Sequence, residues 1–196
     1  MLHLASASPR RRAILDALGL RFSYAGTDID ESISCGESAE NLVARLALTK
    51  ARAARDARPD AVILGADTVV AFGDRILGKP ESKEDALDML ATLSGETHDV
   101  LTAVVALRGD CEQRAVSRSL VSFRQVEPAE ASAYWESGEP LDKAGGYAIQ
   151  GLAAVFIEEL RGSYSGVMGM PIFETAQLLS KFGIEILTNN TRGPNP

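Results

Sequence analysis

The spacing of apolar and polar positions changes several times along the chain, and each change marks an element. Leu2 to Ala5 is a short apolar run that predicts a strand over 2–5, and Ile14, Leu15 and Leu18 carry a helical period that predicts a helix over 9–19. A strand over 21–25, a polar loop over 26–37 and a long helix over 38–57 follow. Two strands, 61–66 and 68–72, are predicted on either side of Asp67. A Gly73-Asp74 turn then leads to a short strand over 75–77. Ser82 caps a helix that runs to about 94, with Asp85 completing a capping-box-like pattern. Alternating runs over 97–108 and 112–126 predict a hairpin around Gly109-Asp110. The remainder reads as a helix over 128–137, a glycine-rich loop over 138–151, a strand over 152–159, a loop over 161–170, a helix over 171–182 and a strand over 184–188. The segment from Asn189 to Pro196 is polar with proline and glycine, and is expected to be a disordered tail. No repeat or linker divides the pattern, so it predicts one mixed α/β domain over 1–188, of one or two lobes.

Composition narrows the chemistry. The chain has 196 residues, 45% hydrophobic and 24% charged, which suits an ordinary globular domain. Its formal net charge of −7 argues against a bulk electrostatic grip on a nucleic acid polymer or an anionic membrane. No apolar run approaches the roughly 20 residues of a membrane span, and no basic region precedes the N-terminal apolar stretch, so a cytoplasmic protein is expected. Cys35 and Cys111 stand far apart and read as two reduced thiols.

Against that acidic background, some charges sit where the local pattern does not favour them. Ser6-Ala7-Ser8-Pro9-Arg10-Arg11-Arg12 places three guanidiniums in the first turn of a helix that Ser8 caps and Pro9 begins. A helix N-terminus already favours anions, so the arginines imply a phosphate-binding corner. On the long helix, Leu42, Val43, Leu46, Ala47, Ala53 and Ala54 share one arc with Lys50 at its centre, while Arg45, Arg52, Arg55 and Asp56 lie opposite. Lys50 must therefore either snorkel or meet an anion. Asp67 interrupts an apolar run and needs a metal ion, a cation or strong donors, unless it is a structural turn aspartate. Gly65 just before it permits close approach of a ligand or another backbone.

Gly78-Lys79-Pro80 stiffens a loop lysine at a helix entry, although an exposed loop lysine is the plainer reading. Asp28, Asp30, Glu31 and Glu37 are candidate second carboxylates for a hard cation. In the loop 138–151, Gln150 offers a donor and an acceptor side by side, which matches a nucleobase edge; an ordinary loop is the alternative. His3, His98, Tyr134 and Trp135 read as structural. No Walker A loop, dinucleotide fingerprint, nucleophile elbow or zinc pattern is present.

Together these pieces, Ser6-Ala7-Ser8-Pro9-Arg10-Arg11, Glu31, Lys50-Ala51-Arg52-Ala53, Gly65-Ala66-Asp67-Thr68-Val69-Val70, Gly78-Lys79-Pro80 and the later glycine loop, occur in the order of a known family. From about residue 3 to 187 the chain resembles the Maf proteins, nucleoside triphosphate pyrophosphatases once described as septum-formation inhibitors. The loop Asp142-Lys143-Ala144-Gly145-Gly146-Tyr147-Ala148-Ile149-Gln150-Gly151 looks like the branch acting on dTTP and UTP. The resemblance implies Asp67 as catalytic carboxylate and proton acceptor. It places Arg10, Thr68 and Gln150 at positions linked to substrate selection, and Ser6, Arg11, Glu31, Lys50 and Lys79 at other active-site positions. It also implies a divalent metal, a cytoplasmic homodimer and an elongated mixed sheet flanked by helices, as in inosine triphosphate pyrophosphatases. Ala7, Arg12 and Met168-Gly169-Met170-Pro171 depart from the commonest family pattern, and Arg12 is expected to face solvent.

Resemblance and charge pattern together suggest that water attacks the α-phosphorus and releases a nucleoside monophosphate and pyrophosphate. Ser6, Arg10, Arg11, Lys50 and Lys79 would hold phosphate, while Glu31 and Asp67 would hold Mg²⁺ or Mn²⁺. Two alternatives stand beside this: a pyrophosphatase of 7-methyl-GTP or another modified nucleotide, and a nucleotide-binding regulator of cell division that does not hydrolyse its ligand.

Overall fold

The computed structural model describes residues 1–187, so the expected tail and the last residue of the expected strand 184–188 lie outside the described residues. The chain begins with β1 (Leu2–Leu4), α1 (Pro9–Ala17), β2 (Phe22–Tyr24) and the long α2 (Ala39–Arg55). It continues through β3 (Val62–Phe72), β4 (Arg75–Leu77), α3 (Lys83–Leu93), β5 (Thr97–Arg108), β6 (Cys111–Phe123) and α4 (Pro128–Glu136). Two 3₁₀ turns, Ala144–Gly146 and Leu152–Phe156, precede β7 (Ile157–Arg161), the short α5 (Tyr164–Val167) and α6 (Ile172–Ser180).

The strands form one mixed sheet in the order β2-β1-β3-β5-β6-β7, with β4 also pairing β3. The first two pairings, β1 with β2 and β1 with β3, are parallel; the others are antiparallel. Alternation along β3 sends Ile63, Val69 and Ala71 to the face covered by Leu42, Val43, Leu46 and Ala47 of α2. Val62, Leu64 and Ala66 point the other way, against Ile14 and Leu15 of α1 and Leu178 and Leu179 of α6. A third cluster, around Phe123, Tyr134, Tyr147 and Phe156, fills the end of the sheet under α3 and α4.

Several predicted details need correction. The two strands expected around Asp67 are one strand, Val62–Phe72, because the carboxylate has a buried partner and the ladder to β5 runs unbroken from Ile63 to Ala71. The strand expected over 152–159 begins only at Ile157. The residues before it form a 3₁₀ turn whose first amides are taken by Glu139, which accepts from Leu152 N at 2.9 Å and Ala153 N at 3.2 Å. Residues 184–187 form no strand. On α2, Ala51 rather than Ala53 lies on the buried arc.

Candidate active site

The site arises from how one edge of β3 is shared. Because β5 occupies one edge of β3 from Ile63 to Ala71, both β1 and β4 must use the other. β1 pairs there from Val62 to Leu64, and β4 only from Val70 to Phe72. Asp67 and Thr68 sit in the interval between. The chain leaves β1 through Ser6-Ala7-Ser8 into the N-terminus of α1, and leaves β4 through Gly78-Lys79-Pro80, so both connections border the gap. A cleft of about 740 Å³ opens there, a size that accommodates a small organic ligand.

On the α2 face, Gly65 allows the helix to lie directly on the strand. A Cβ at Gly65 would fall 2.5 Å from the carbonyl oxygen of Ala47 and 2.8 Å from the Ala51 Cβ. This approach brings Lys50, 8% exposed, onto Asp67, 7% exposed. Lys50 Nζ lies 2.5 Å from Asp67 Oδ1 and 2.6 Å from Glu31 Oε1, with Lys79 Nζ 4.0 Å from Glu31 Oε2. Burial works against the charged form of Glu31, but the hydrogen bond and charge of Lys50, helped by Lys79 and Arg11, hold its carboxyl below the usual range. The other loop carboxylates have different tasks. Glu37 is clamped by Arg45 Nε and Nη2, both at 2.7 Å, and Asp30 accepts from Ser32 N. Arg45 also donates to Ser32 O at 2.9 Å, fastening to α2 the loop that carries Glu31.

The opposite face of β3 presents Thr68 to Arg11. Ser8 caps α1 by accepting from Arg11 N, and Pro9 begins the helix as expected. The Arg11 guanidinium donates to Gly169 O at 2.8 Å, to Ser6 Oγ at 3.2 Å and to Thr68 Oγ1 at 3.3 Å. Thr68 Oγ1 lies 2.9 Å from Thr102 Oγ1, whose hydroxyl donates to Gly166 O at 2.7 Å. Burial lowers the pKa of Arg11, with the Asp67 charge opposing that shift. Arg10 lines the cleft near Asp142, and burial lowers its pKa while Asp142 acts to raise it. Arg12 does not face solvent as expected: its guanidinium stacks 4.4 Å from the Tyr24 ring centroid, outside the cleft.

The loop 138–151 forms the far wall and is braced from behind. Gly145, at φ +68°, donates its N–H to Gly78 O at 2.9 Å, and a Cβ there would press on Val70 at 3.0 Å. This ties the loop to the end of β4, beside Lys79. Tyr147 Oη pairs with Nε2 of buried His98 at 2.8 Å, and Tyr134 Oη donates to Glu139 at 2.8 Å. Burial pushes His98 down to about 4. Both histidines are structural as expected, since His3 Nδ1 is bonded to Ser23 Oγ. Gln150 projects exposed at the cleft with Lys143 and Asp142, whose φ of 61° is the one left-handed value at a non-glycine position among the described residues.

Ser6, Arg10, Arg11, Glu31, Lys50, Asp67, Thr68, Lys79 and Gln150 all line this one cleft, whereas the candidate carboxylates Asp28, Asp30 and Glu37 do not. Sequence reasoning missed Thr102, Arg45 and Lys143. Thr102 carries the same signal as Asp67, a polar side chain inside the apolar run Val100-Leu101-Thr102-Ala103-Val104. Arg45 looked like an ordinary solvated charge because its partners lie in a loop.

The sequence profile of the Maf-like protein family matches residues 1–182. The chain is 52% identical over 190 residues to a dTTP/UTP pyrophosphatase of Alkalilimnicola ehrlichii, covering 94% of each chain. It is 50% identical over 184 residues to the protein of that name from Methylococcus capsulatus, covering 93% of this chain and 91% of the relative. A third dTTP/UTP pyrophosphatase, from Hahella chejuensis, is 50% identical over 188 residues, with 94% of each chain covered. Among solved structures, the Ham1 protein of Staphylococcus aureus aligns with 65% of this chain and 72% of its own at 16% identity and a TM-score of 0.43.

Proposed function

The chain belongs to the Maf-like protein family, and on that premise we propose that it hydrolyses dTTP and UTP to the nucleoside monophosphate and pyrophosphate. The observation that carries this reading is a buried Lys50 bridging Asp67 and Glu31, with the cations Arg10, Arg11 and Lys79 lining the same cleft. Carboxylates on one wall and guanidiniums on another suit a triphosphate, whose charge needs neutralising while water near it needs a base.

In this reaction a water oxygen bonds to the α-phosphorus as the bond from that phosphorus to the β-bridging oxygen breaks. Pyrophosphate departs with the bridging oxygen and the electron pair of the broken bond. Arg10, Arg11 and Lys79 hold the β and γ phosphates, so negative charge developing on the leaving group meets fixed donors. Asp67 Oδ1 is occupied by Lys50, which leaves Oδ2 to take the water proton. Gln150, free at the cleft mouth, reads the base edge through its paired donor and acceptor.

Two carboxylates converging on one ammonium form a locus suited to positive charge, and oxygen ligands suit Mg²⁺ or Mn²⁺. Glu31 and Asp67 would hold such an ion. When bound, the ion supplies Lewis-acid activation of water and phosphate. A cytoplasmic homodimer belongs to the same reading and rests on the family resemblance. Among the described residues, no helix is long and apolar enough to cross a membrane.

The test is pyrophosphate release across a panel of nucleoside triphosphates, with and without a chelator. The expected result is pyrophosphate from dTTP and UTP in preference to the other nucleotides, abolished by the chelator and restored by Mg²⁺ or Mn²⁺. Preference for 7-methyl-GTP would move the chain to the other substrate class, and nucleotide binding without turnover under any metal would make it a regulator.

A further inference from the structure

Thr102 lies outside every motif that defines the cleft, yet it is fully buried in the middle of β5, directly across the ladder from Thr68. A hydroxyl has a single hydrogen to give. That of Thr102 goes to Gly166 O at 2.7 Å, so the 2.9 Å bond between the two threonines must be donated by Thr68. Thr68 then has no hydrogen left and can only accept, which it does from Arg11 Nη2 at 3.3 Å. The polarity of the chain is therefore fixed from its buried end: Arg11 to Thr68, Thr68 to Thr102, Thr102 to Gly166.

The same short segment grips Arg11 twice. Gly169 O receives Arg11 Nε directly at 2.8 Å, while Gly166 O holds Nη2 through the two hydroxyls. Gly169, at φ +106°, also leaves the space for this, since a Cβ there would lie 3.3 Å from Thr68 Oγ1 and 3.4 Å from Arg11 Nε. A buried hydroxyl at a position that needed only packing would be an anomaly, because its desolvation has to be offset by hydrogen bonds. Valine, which serves at Val100 and Val104 on the same strand, would fill the space.

We propose that Thr102 is a positioning residue for nucleotide binding: by taking the Thr68 proton it keeps Thr68 a pure acceptor and orients Arg11 toward the phosphates. Without it, the Thr68 hydrogen is free to turn toward the guanidinium, replacing an attraction with a repulsion. The ligand invoked is the nucleoside triphosphate of the proposed function, so the inference rests on that reading.

Two measurements on the folded full chain test it. The first is the side-chain Nη2–H resonance of Arg11 in the ligand-free protein, the group that donates to Thr68, which reports the relay with no nucleotide present. Thr102→Val is expected to shift or broaden it, and Thr102→Ser to leave it near the wild-type position. The second is calorimetric binding of a non-hydrolysable α,β-methylene analogue of dTTP. Thr102→Val should weaken binding about tenfold, as for loss of a hydrogen bond to a charged group, with Thr102→Ser within about twofold. Thr68→Val combined with Thr102→Val should bind no more weakly than Thr68→Val alone, because both act through one chain. If Thr102→Val does not fold, Thr102→Cys keeps a small side chain with a weaker donor and serves in its place.

Wild-type resonance and affinity in Thr102→Val, even with a lowered melting temperature, would overturn the proposal. So would a loss in Thr102→Ser as large as in Thr102→Val. A resonance that responds as expected in a wild-type protein that binds no analogue would leave the relay standing but remove its nucleotide role. Tight analogue binding with no pyrophosphate released from dTTP itself would overturn the hydrolytic reading alone.

Discussion

At the scale of single residues, the site is a set of charges whose burial is offset by one another. Lys50 and Asp67 are both nearly inaccessible, and each would be costly to bury alone. Asp67→Asn keeps the shape and removes the base, so kcat is expected to fall roughly a thousandfold, while the melting temperature moves little because Glu31 still pairs Lys50. Full activity in that variant, measured by pyrophosphate release, would reduce Asp67 to a structural role. Gln150 is exposed, so Gln150→Glu should lower kcat/KM for dTTP and UTP by about tenfold or more at unchanged stability. Lys50 and Asp67 were legible in the sequence because a charge in an apolar pattern stands out. Arg45 and Arg12 were not, because what they touch, the 26–37 loop and the Tyr24 ring, comes from segments whose placement local periodicity does not specify.

At the scale of elements, Gly65 decides whether α2 can deliver its lysine. Gly65→Ala would put a methyl into the backbone of that helix, and is expected to destabilise the chain by about 1–3 kcal/mol and to lower activity further than the stability loss explains. Denaturant unfolding and pyrophosphate release, measured on the same preparation, separate the two effects. The helices and long strands were read correctly, to within a residue or two at most ends, because their apolar periods are long and capped by Ser8, Ser38 and Ser82. Two misreadings have physical causes. Asp67 looked like a strand break because a buried charge without a visible partner resembles a turn, and the partner comes from α2. The 152–156 stretch has a strand-like composition, but Glu139 captures its first amides and tightens it into a 3₁₀ turn. Gly151 is required for that capture, since a Cβ there would collide with the Glu139 carboxylate.

At the scale of the whole molecule, the cleft exists because β1 and β4 share one edge of β3 without meeting. That arrangement was not legible, since strand pairing across 60 or so residues leaves no periodic trace in the sequence. Behind the cleft, buried His98 supports Tyr147 and is held neutral. Between about pH 6.5 and its depressed value of about 4, the unfolded chain takes up a proton that the folded His98 refuses. Stability should therefore fall as pH drops through that window, by up to roughly 3 kcal/mol at its lower end. His98→Phe should flatten that part of the profile, as read by melting temperature against pH; an unchanged slope would assign the acid sensitivity elsewhere. The central claim is that the cleft directs water to the α-phosphorus, and hydrolysis of dTTP in ¹⁸O-labelled water, with both products analysed by mass, tests it most directly. The label is expected in dTMP with none in pyrophosphate; label in pyrophosphate, or release of labelled orthophosphate, would contradict it.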